Sequence, residues 1–376
     1  MRKVYADYSA TTYVKEEVLK EMIPYFNIYY GNPSSVYEEG TKTKEAIEEA
    51  REKIANCINA KTEEIYFTAS GTEADNMALK GIMEANRSKG NHLITTKIEH
   101  HAILETCKYL EDIGYEVTYL NVDNEGKISL QELRDSIKDT TVLISIMAVN
   151  NEIGTIQEIE NIGKICKENN VIFHSDCVQA IGNIDIDVEK LNLQSISISA
   201  HKFYGPKGIG CLYIKNDINF NALIHGGHQE KSKRAGTENV PSIVGMAKAL
   251  ELATKNITKH NEKIKVLRDY LESEIFKNIK GVKINGSIKE RVNCNLNICI
   301  DDTDCNVMLL KLNHNGISAS CGSACNSSIT VESHVLKAIG LSSKECFSSI
   351  RFSLGEKNTY SDMDYIVYIL KKIVEN

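Results

Sequence analysis

The chain has 376 residues, of which 42% are hydrophobic and 25% are charged, a composition typical of a soluble protein with one large and one smaller domain. Its net charge of -7, with no lysine or arginine cluster interleaved with aromatic residues, argues against direct nucleic-acid binding. No apolar run approaches the roughly 20 residues of a membrane span, and the first residues lack the apolar core of a signal peptide, so the sequence predicts a cytoplasmic protein.

Helical and extended patterns alternate from about residue 40. Helical patterns cover 40–58 and 72–89, and short apolar runs typical of strands lie at 63–70, 91–96, 116–122, 141–149, 171–176 and 195–200. This alternation predicts a mostly parallel, doubly wound sheet with helices on both faces. From about residue 256 the pattern changes to long charged helices and a few extended runs, which indicates a smaller α+β unit.

Eleven cysteines are scattered along the chain, and this odd number predicts reduced thiols. No two of them form a CxxC pair, so the sequence predicts no structural zinc site and no other metal site.

The motif "SGTEADN", residues 70–76, lies between a predicted strand and a predicted helix. Backbone N–H groups of Gly71 and Thr72 at a helix N-terminus, with the Thr72 hydroxyl, could bind a phosphate. The alternative is that a serine or threonine merely caps the helix, which the motif alone favours.

Two further strand ends carry polar side chains. "HSDCVQA" places Asp176 at the end of one strand and Gln179 three residues later, where a buried carboxylate could hold a pyridine nitrogen protonated or simply cap a turn. "SAHKFYGPKGIG" places Lys202 after another strand, as a surface charge, a phosphate ligand or a nucleophile that forms an imine. Together with the phosphate motif, these residues favour the imine, because ligands bind at the carboxyl ends of parallel strands.

At this point the sequence resembles the pyridoxal-phosphate-dependent cysteine desulfurases of the NifS/IscS type, which have the fold-type I aminotransferase-like architecture. The resemblance covers nearly the whole chain, through the blocks "ADYSATT", "GNPSSVY", "FTASGTEADN", "EHHAILET", "NNEIGTIQ", "HSDCVQAIG", "SAHKFYGPKGIG", "RAGTENV", "SASCGSAC" and "SSIRFSLG". It implies a large cofactor-binding domain at 15–255 and a small domain made of 1–14 and 256–376.

The resemblance assigns the reacting groups. Lys202 would form the imine with the cofactor aldehyde and later act as a base, and Asp176 would pair with the pyridine nitrogen. His100 would stack on the cofactor ring, with His101 less suited, and could exchange protons because histidine titrates near neutral pH.

The resemblance also assigns binding contacts. Gln179 would bond to the phenolic oxygen of the cofactor, and Asn151 would lie beside that oxygen and the substrate carboxylate. Arg351 would bind that carboxylate bidentately, although an interdomain salt bridge is the alternative for a lone arginine. The implied phosphate ligands are Gly71, Thr72, Ser199, His201 and, from the second subunit of a homodimer with shared active sites, Thr237.

The glycine- and serine-rich stretch at about 318–332 predicts a mobile loop. The resemblance makes Cys325 the thiol in this loop that receives sulfur as a persulfide. Cys321 lies four residues earlier and could be a spectator, a resolving thiol or a competitor for sulfur, with the spectator favoured.

The implied reaction converts L-cysteine to L-alanine and passes sulfur to an iron-sulfur scaffold or another acceptor protein, such as one for tRNA or cofactor thiolation. Three alternatives are a selenocysteine lyase, an aminotransferase, and a non-enzymatic sulfur-carrier adaptor. Intact Lys202, Asp176 and Cys325 make the adaptor the least favoured of these.

Overall fold

The computed structural model describes residues 2–255, 257–322 and 332–375. The strands in this part of the chain are β1 Val4–Tyr5, β2 Ile65–Thr68, β3 His92–Thr96, β4 Glu116–Leu120, β5 Thr141–Ser145, β6 Ile172–Asp176, β7 Ser195–Ser199, β8 Gly210–Ile214, β9 Val282–Ile284, β10 Asn295–Ile300, β11 Ile317–Ser318 and β12 Ser349–Ser353. The helices there are α1 Glu16–Met22, α2 Pro24–Asn27, α3 Glu38–Cys57, α4 Gly71–Ala85, α5 His101–Asp112, α6 Leu130–Ser136, α7 Ile159–Glu168, α8 Gln229–Ser232, α9 Val240–Lys255, α10 Ile257–Asn278, α11 Cys305–His314, α12 His334–Ala338, α13 Ser343–Phe347 and α14 Tyr360–Glu375.

The largest sheet has seven strands in the order β2-β8-β7-β6-β5-β3-β4. The neighbours from β7 to β4 are parallel, whereas β8 is antiparallel to both β2 and β7. The predicted mostly parallel sheet is therefore confirmed, with one reversed strand that the sequence analysis did not predict.

Helices cover both faces of this sheet. On β8, Leu212 and Ile214 pack in a buried cluster with residues of α4 and α5, while Cys211 and Tyr213 pack in a second cluster with residues of α3 and α9. Because successive side chains of a strand point to opposite faces, a strand buried on both sides is apolar throughout. This explains the short continuous apolar runs in the sequence.

Two smaller sheets lie in the remaining chain. β9, β10 and β12 form an antiparallel sheet in the order β12-β10-β9, and β1 pairs in parallel with β11. The N-terminal segment also bonds to β12, since the Ser353 N–H donates to the Ala6 carbonyl at 2.8 Å. The division into two domains at residues 15 and 256 stays a prediction.

None of the helices within residues 2–255, 257–322 and 332–375 is long and apolar enough to cross a lipid bilayer.

Candidate active site

A cavity of about 210 Å³ lies at the carboxyl ends of β2, β5, β6 and β7. Parallel strands that alternate with helices bring their carboxyl ends to the same edge of the sheet, and loops from distant parts of the sequence meet there. Ten of the predicted site residues line this cavity: Gly71, Thr72, His100, Asn151, Asp176, Gln179, Ser199, His201, Lys202 and Arg351.

A larger cleft of about 640 Å³ adjoins this cavity and shares Ser9, Gln179 and Lys202 with it. Asp176 and Arg351 do not line that cleft. The smaller cavity is therefore the candidate site, because it combines an amine, a buried carboxylate and a guanidinium.

Lys202 is the last residue of a tight turn that follows β7. β7 ends at Ser199, and residues Ala200–Lys202 form a single 3-10 turn that places the lysine at the cavity wall. Its Nζ donates to the carbonyl oxygens of Ser9 at 2.6 Å and Ala10 at 2.8 Å. The amine is therefore positioned by the N-terminal segment as well as by its own strand.

The N-terminus of α4 forms one end of the cavity. Ser70 caps this helix, because its hydroxyl accepts from the Glu73 N–H at 3.1 Å, so the cap is provided by Ser70 and not by Thr72. A Cβ on Gly71 would lie 2.8 Å from Val178 Cγ2 and 3.3 Å from Ser199 Cβ. Glycine is required there by this close approach, and the helix N-terminus faces the cavity with N–H groups suited to an anion.

Asp176 ends β6 and is 6% exposed. One carboxylate oxygen accepts from the Val178 N–H at 2.8 Å. Burial raises the pKa of Asp176 from 3.8 to about 6, although the Val178 N–H and the positive charge of Lys202 oppose this. The carboxylate would be held in the charged form by a cationic partner in the cavity.

A second carboxyl group that the sequence analysis missed lies beside Asp176. Asp75 on α4 is 1% exposed and lines the same cavity, and its Oδ1 makes no hydrogen bond in the described structure. Burial and the charge of Asp176 both raise the pKa of Asp75. A hydrogen bond from Ser197 opposes this rise. Asp75, Leu79 and Ile82 lie on one buried face of α4. A carboxylate at the same helical spacing as apolar residues is the sequence pattern that could have identified Asp75 as buried.

A neutral histidine lies on the other side of Asp75. His174 Nε2 is 3.8 Å from Asp75 Oδ1, and its ring nitrogens bond to the hydroxyls of Ser145 at 2.9 Å and Ser197 at 3.0 Å. Burial lowers the pKa of His174 to about 3, so His174 adds no charge to the site near pH 7.

His100 caps α5 and lines the cavity, whereas His101 lies against the ring of His334, with centroids 4.8 Å apart. The Nδ1 atom of His100 accepts from the Ala102 N–H at 3.1 Å, which places the proton of the neutral ring on Nε2. Burial and the charge of Lys202 lower the pKa of His100 to about 4, well below the near-neutral value on which the predicted proton exchange depends.

Arg351 on β12 is 1% exposed and has two partners. Its Nη1 donates to the Asn151 carbonyl at 2.7 Å and its Nη2 to Asp7 Oδ1 at 2.8 Å, while Nε makes no hydrogen bond in the described structure. Asp7 and Arg351 both belong to the predicted small domain, so this salt bridge is not the interdomain one that was the alternative. The sequence analysis did not predict a role for Asp7, because this residue reaches the site only through the pairing of the N-terminal segment with β12.

Of the two remaining predicted site residues, only Thr237 is described, and it does not line the cavity. Thr237 is solvent-exposed and belongs to a segment anchored by the ion pair between Arg234 Nε and Glu73 Oε1 at 2.7 Å. Cys325, with most of its predicted loop, lies outside the described residues.

The charge of Asp176 gives a stability prediction. Because the pKa of this carboxyl group is higher in the folded protein than in the unfolded chain, its ionisation lowers the free energy of unfolding. The loss is complete above about pH 6 and vanishes below about pH 4. The difference between 3.8 and about 6 corresponds to about 3 kcal/mol. In urea unfolding of cofactor-stripped protein, we expect Asp176→Asn to be more stable than wild type at pH 8, by up to this amount, and equally stable at pH 4.

Asp187→Asn is the matched control for that experiment. The Lys190 N–H donates to Asp187 Oδ1 at 2.9 Å and lowers the pKa of this carboxyl group, so its neutralisation should bring no gain at pH 8. Equal stability of Asp176→Asn and wild type at pH 8 would contradict the raised pKa.

Known proteins resemble this chain in sequence and in fold. The Aminotransferase class-V family matches residues 4–366. A protein named cysteine desulfurase IscS from Clostridium botulinum (strain Hall) is 52% identical over 376 residues, which cover 100% of this chain and 95% of the relative. The solved structure of a NifS-like protein superposes with a TM-score of 0.94 at 38% identity and full coverage of both chains. A structure titled SspA in complex with cysteine superposes with a TM-score of 0.83 at 38% identity, covering 94% of this chain and 99% of SspA.

These similarities confirm the predicted fold-type I architecture and the predicted relationship to the NifS/IscS proteins. The chain therefore belongs to the class-V aminotransferase family, as a member of its cysteine desulfurase group.

Proposed function

We propose that this protein converts L-cysteine to L-alanine and holds the released sulfur as a persulfide on Cys325. The observation that carries the proposal is the single cavity in which Lys202, Asp176 and Arg351 meet the N-terminus of α4. A relative is named a cysteine desulfurase, and the SspA structure is described in complex with cysteine.

The donor set of the cavity fits pyridoxal 5'-phosphate. The N-terminus of α4 and the close approach at Gly71 suit a phosphate, Lys202 supplies an amine, and Asp176 supplies a buried carboxylate for a pyridine nitrogen. When bound, this cofactor draws electron density away from the substrate Cα. The residues that would hold it are Gly71, Thr72, Ser199 and His201 at the phosphate, Asp176 at the ring nitrogen, Gln179 and Asn151 at the phenolic oxygen, His100 over the ring and Lys202 at the aldehyde.

Residues of the N-terminal segment position the reacting groups. The Ser9 carbonyl accepts from both Lys202 Nζ and Gln179 Nε2, at 2.6 and 2.9 Å, and therefore fixes the separation of these two side chains. Lys202 would carry the proton removed from the substrate Cα. Since Nδ1 of His100 is already bonded, His100 would act toward substrate through its Nε2–H.

Arg351 and Asn151 would orient the substrate carboxylate, because the guanidinium is fixed in place by its bonds to Asp7 and to the Asn151 carbonyl. We expect Arg351→Lys to raise the KM for L-cysteine by about 10- to 100-fold with a smaller change in kcat, since lysine keeps the charge but not the planar fork. Steady-state kinetics of alanine formation would measure this.

Arg291→Lys is the control for the loss of a buried guanidinium. Arg291 is 5% exposed, its Nη2 bonds to Glu272 Oε2 at 2.8 Å, and it does not line the cavity. A KM that rises equally in both variants would show that the effect of Arg351→Lys is general destabilisation.

We also propose a homodimer in which Thr237 of one subunit completes the phosphate site of the other. Thr237 is exposed and does not line its own cavity. Near the N-terminus, Ile28, Tyr30 and Val36 are 60%, 73% and 100% exposed, an apolar surface that association would cover. The sulfur acceptor would be an iron-sulfur scaffold or another acceptor protein.

A cytoplasmic location remains a prediction. The ten described cysteines are all free thiols, as expected in a reducing compartment.

To test this function, the purified protein would be incubated with L-cysteine in the absence of reductant. Alanine would be assayed, and the added sulfur would be mapped by mass spectrometry of the peptides. Alanine with extra sulfur on Cys325 would support the proposal. Alanine without sulfur on any cysteine would indicate a lyase that releases its product directly. If neither product forms, the protein should next be tested with the substrates of aminotransferases.

A further inference from the structure

The short helix α8 has a strained backbone. Three consecutive residues, Glu230, Lys231 and Ser232, have positive φ angles of 45°, 57° and 62°. This left-handed conformation is unfavourable for any residue with a Cβ atom, and it persists only where the surrounding structure enforces it. The contacts of α8 with the rest of the subunit must therefore stabilise it.

A buried ion pair makes the first of these contacts. The Glu230 carboxylate accepts from Arg51 Nη1 at 2.8 Å, from Arg51 Nη2 at 2.7 Å and from the Phe67 N–H at 2.8 Å. The Arg51 and Glu230 side chains are only 4% and 3% exposed. Since Arg51 belongs to α3 and Phe67 to β2, Glu230 attaches α8 to one helix and to one strand of the large sheet.

A second contact fixes the same segment to the N-terminus of α4. Arg234 Nε pairs with Glu73 Oε1 at 2.7 Å, and Glu73 follows Thr72 in the first turn of α4. The next residue, Ala235, is buried. The stretch from Glu230 to Ala235 is therefore anchored at both of its ends.

Thr237 directly follows this anchored stretch and is exposed. It lies two residues after the buried Ala235 and three residues before α9 begins at Val240. Its position on the surface is therefore set by the fixed backbone on either side of it.

The anchored stretch lies beside the surface that we assign to association of two subunits. A cavity of about 470 Å³ is lined by Pro33 and Ser34 on one side and by His228 and Glu238 on the other. Pro33 and Ser34 belong to the N-terminal segment 28–36, which carries the exposed apolar side chains. A second subunit that covers this segment would also approach the stretch that leads to Thr237.

We propose that Glu230 is a positioning residue that, through its pair with Arg51, keeps this stretch in its strained form so that Thr237 reaches the phosphate site of the partner subunit. The inference rests on the proposed homodimer with shared sites. Neither Glu230 nor Arg51 lines the cavity of its own subunit. Loss of the pair should therefore weaken the cofactor site of the partner and leave the site of the same subunit intact.

The test titrates the full-length protein, after removal of its cofactor, with pyridoxal 5'-phosphate and with pyridoxal, which lacks the phosphate. We expect Glu230→Gln to raise the Kd for pyridoxal 5'-phosphate by about 10-fold, the worth of one charge-assisted hydrogen bond, and to leave the Kd for pyridoxal unchanged. Thr237→Ala should give the same result. The double variant should bind no more weakly than either single variant, because both changes remove the same contact.

Glu272→Gln is the matched control, since it breaks another pair with a buried arginine. Glu272 Oε2 is 2.8 Å from Arg291 Nη2, and neither residue lines the cavity. Both affinities should stay at the wild-type values. If Glu230→Gln does not fold, Arg51→Lys is the milder variant, because it keeps a positive charge beside Glu230, and it should show the same selective loss.

Two outcomes of the titration would overturn the inference alone. They are an unchanged affinity of Glu230→Gln for pyridoxal 5'-phosphate, and an equal loss of affinity for pyridoxal, which would show general damage to the fold. A wild-type protein that is monomeric would refute the proposed shared sites as well, and one that binds no pyridoxal 5'-phosphate would refute the proposed function.

Mixed dimers show in which subunit Glu230 acts. Lys202→Ala marks a subunit whose site no longer gives the visible absorbance of the lysine-bound cofactor. A dimer of one Glu230→Gln subunit and one Lys202→Ala subunit should bind pyridoxal 5'-phosphate with wild-type affinity. A dimer in which one subunit carries both changes and the other carries none should bind it about 10-fold more weakly. The reverse pattern would place the effect of Glu230 within its own subunit and overturn the proposal.

Discussion

Replacing Lys202 by alanine is expected to reduce alanine formation from L-cysteine by at least about 10³-fold, because in the proposed function one amine would serve both as the covalent anchor of the cofactor and as the base at the substrate Cα. No other lysine lines the cavity among the described residues. The visible absorbance of the bound cofactor should change as well, since the amine that would join its aldehyde is gone. Alanine assays and an absorbance spectrum of the purified variant measure the two effects.

Lys207→Ala is the matched control for that variant. Lys207 is exposed, lies five residues later in the connection between β7 and β8, and donates to the Thr12 carbonyl at 3.2 Å, but it does not line the cavity. We expect activity close to wild type. Turnover of Lys202→Ala within tenfold of the wild-type rate would refute the role given to this lysine.

Replacing Cys325 by serine is expected to abolish persulfide formation and to lower sulfide release by about 10²-fold or more, while the cofactor absorbance stays unchanged. A hydroxyl is a far poorer nucleophile than a thiolate toward the substrate sulfur, and it cannot hold a second sulfur atom. Sulfide assays under reducing conditions, with the absorbance spectrum as a check on the site, would measure this.

Cys321→Ser is the control, since it removes a thiol only four residues away. Its activity should match wild type, because Cys321 lines neither the cavity nor the adjoining cleft. Sulfide release that survives Cys325→Ser and is lost in Cys321→Ser would assign the nucleophile to Cys321 instead.

The sequence predicted the large sheet well because most of its strands are buried on both faces. Their apolar runs at 141–149, 171–176 and 195–200 correspond to β5, β6 and β7, and the helical pattern at 72–89 corresponds to α4. The reversed direction of β8 was missed. Only residues 200–209 connect β7 to β8, which is shorter than the crossover that a parallel neighbour requires.

The sequence by itself determined which chemical groups follow the strand ends, and since strands of one sheet share an edge, it placed Gly71, Asp176 and Lys202 in one site. Only the tertiary structure decided the partners that come from elsewhere in the chain. The carbonyls of Ser9 and Ala10 at Lys202 and the carboxylate of Asp7 at Arg351 reach the site through long-range pairing. Local patterns do not record such contacts. The lowered pKa of His100 has the same origin, because burial depends on the packing around the ring and not on its neighbours in sequence.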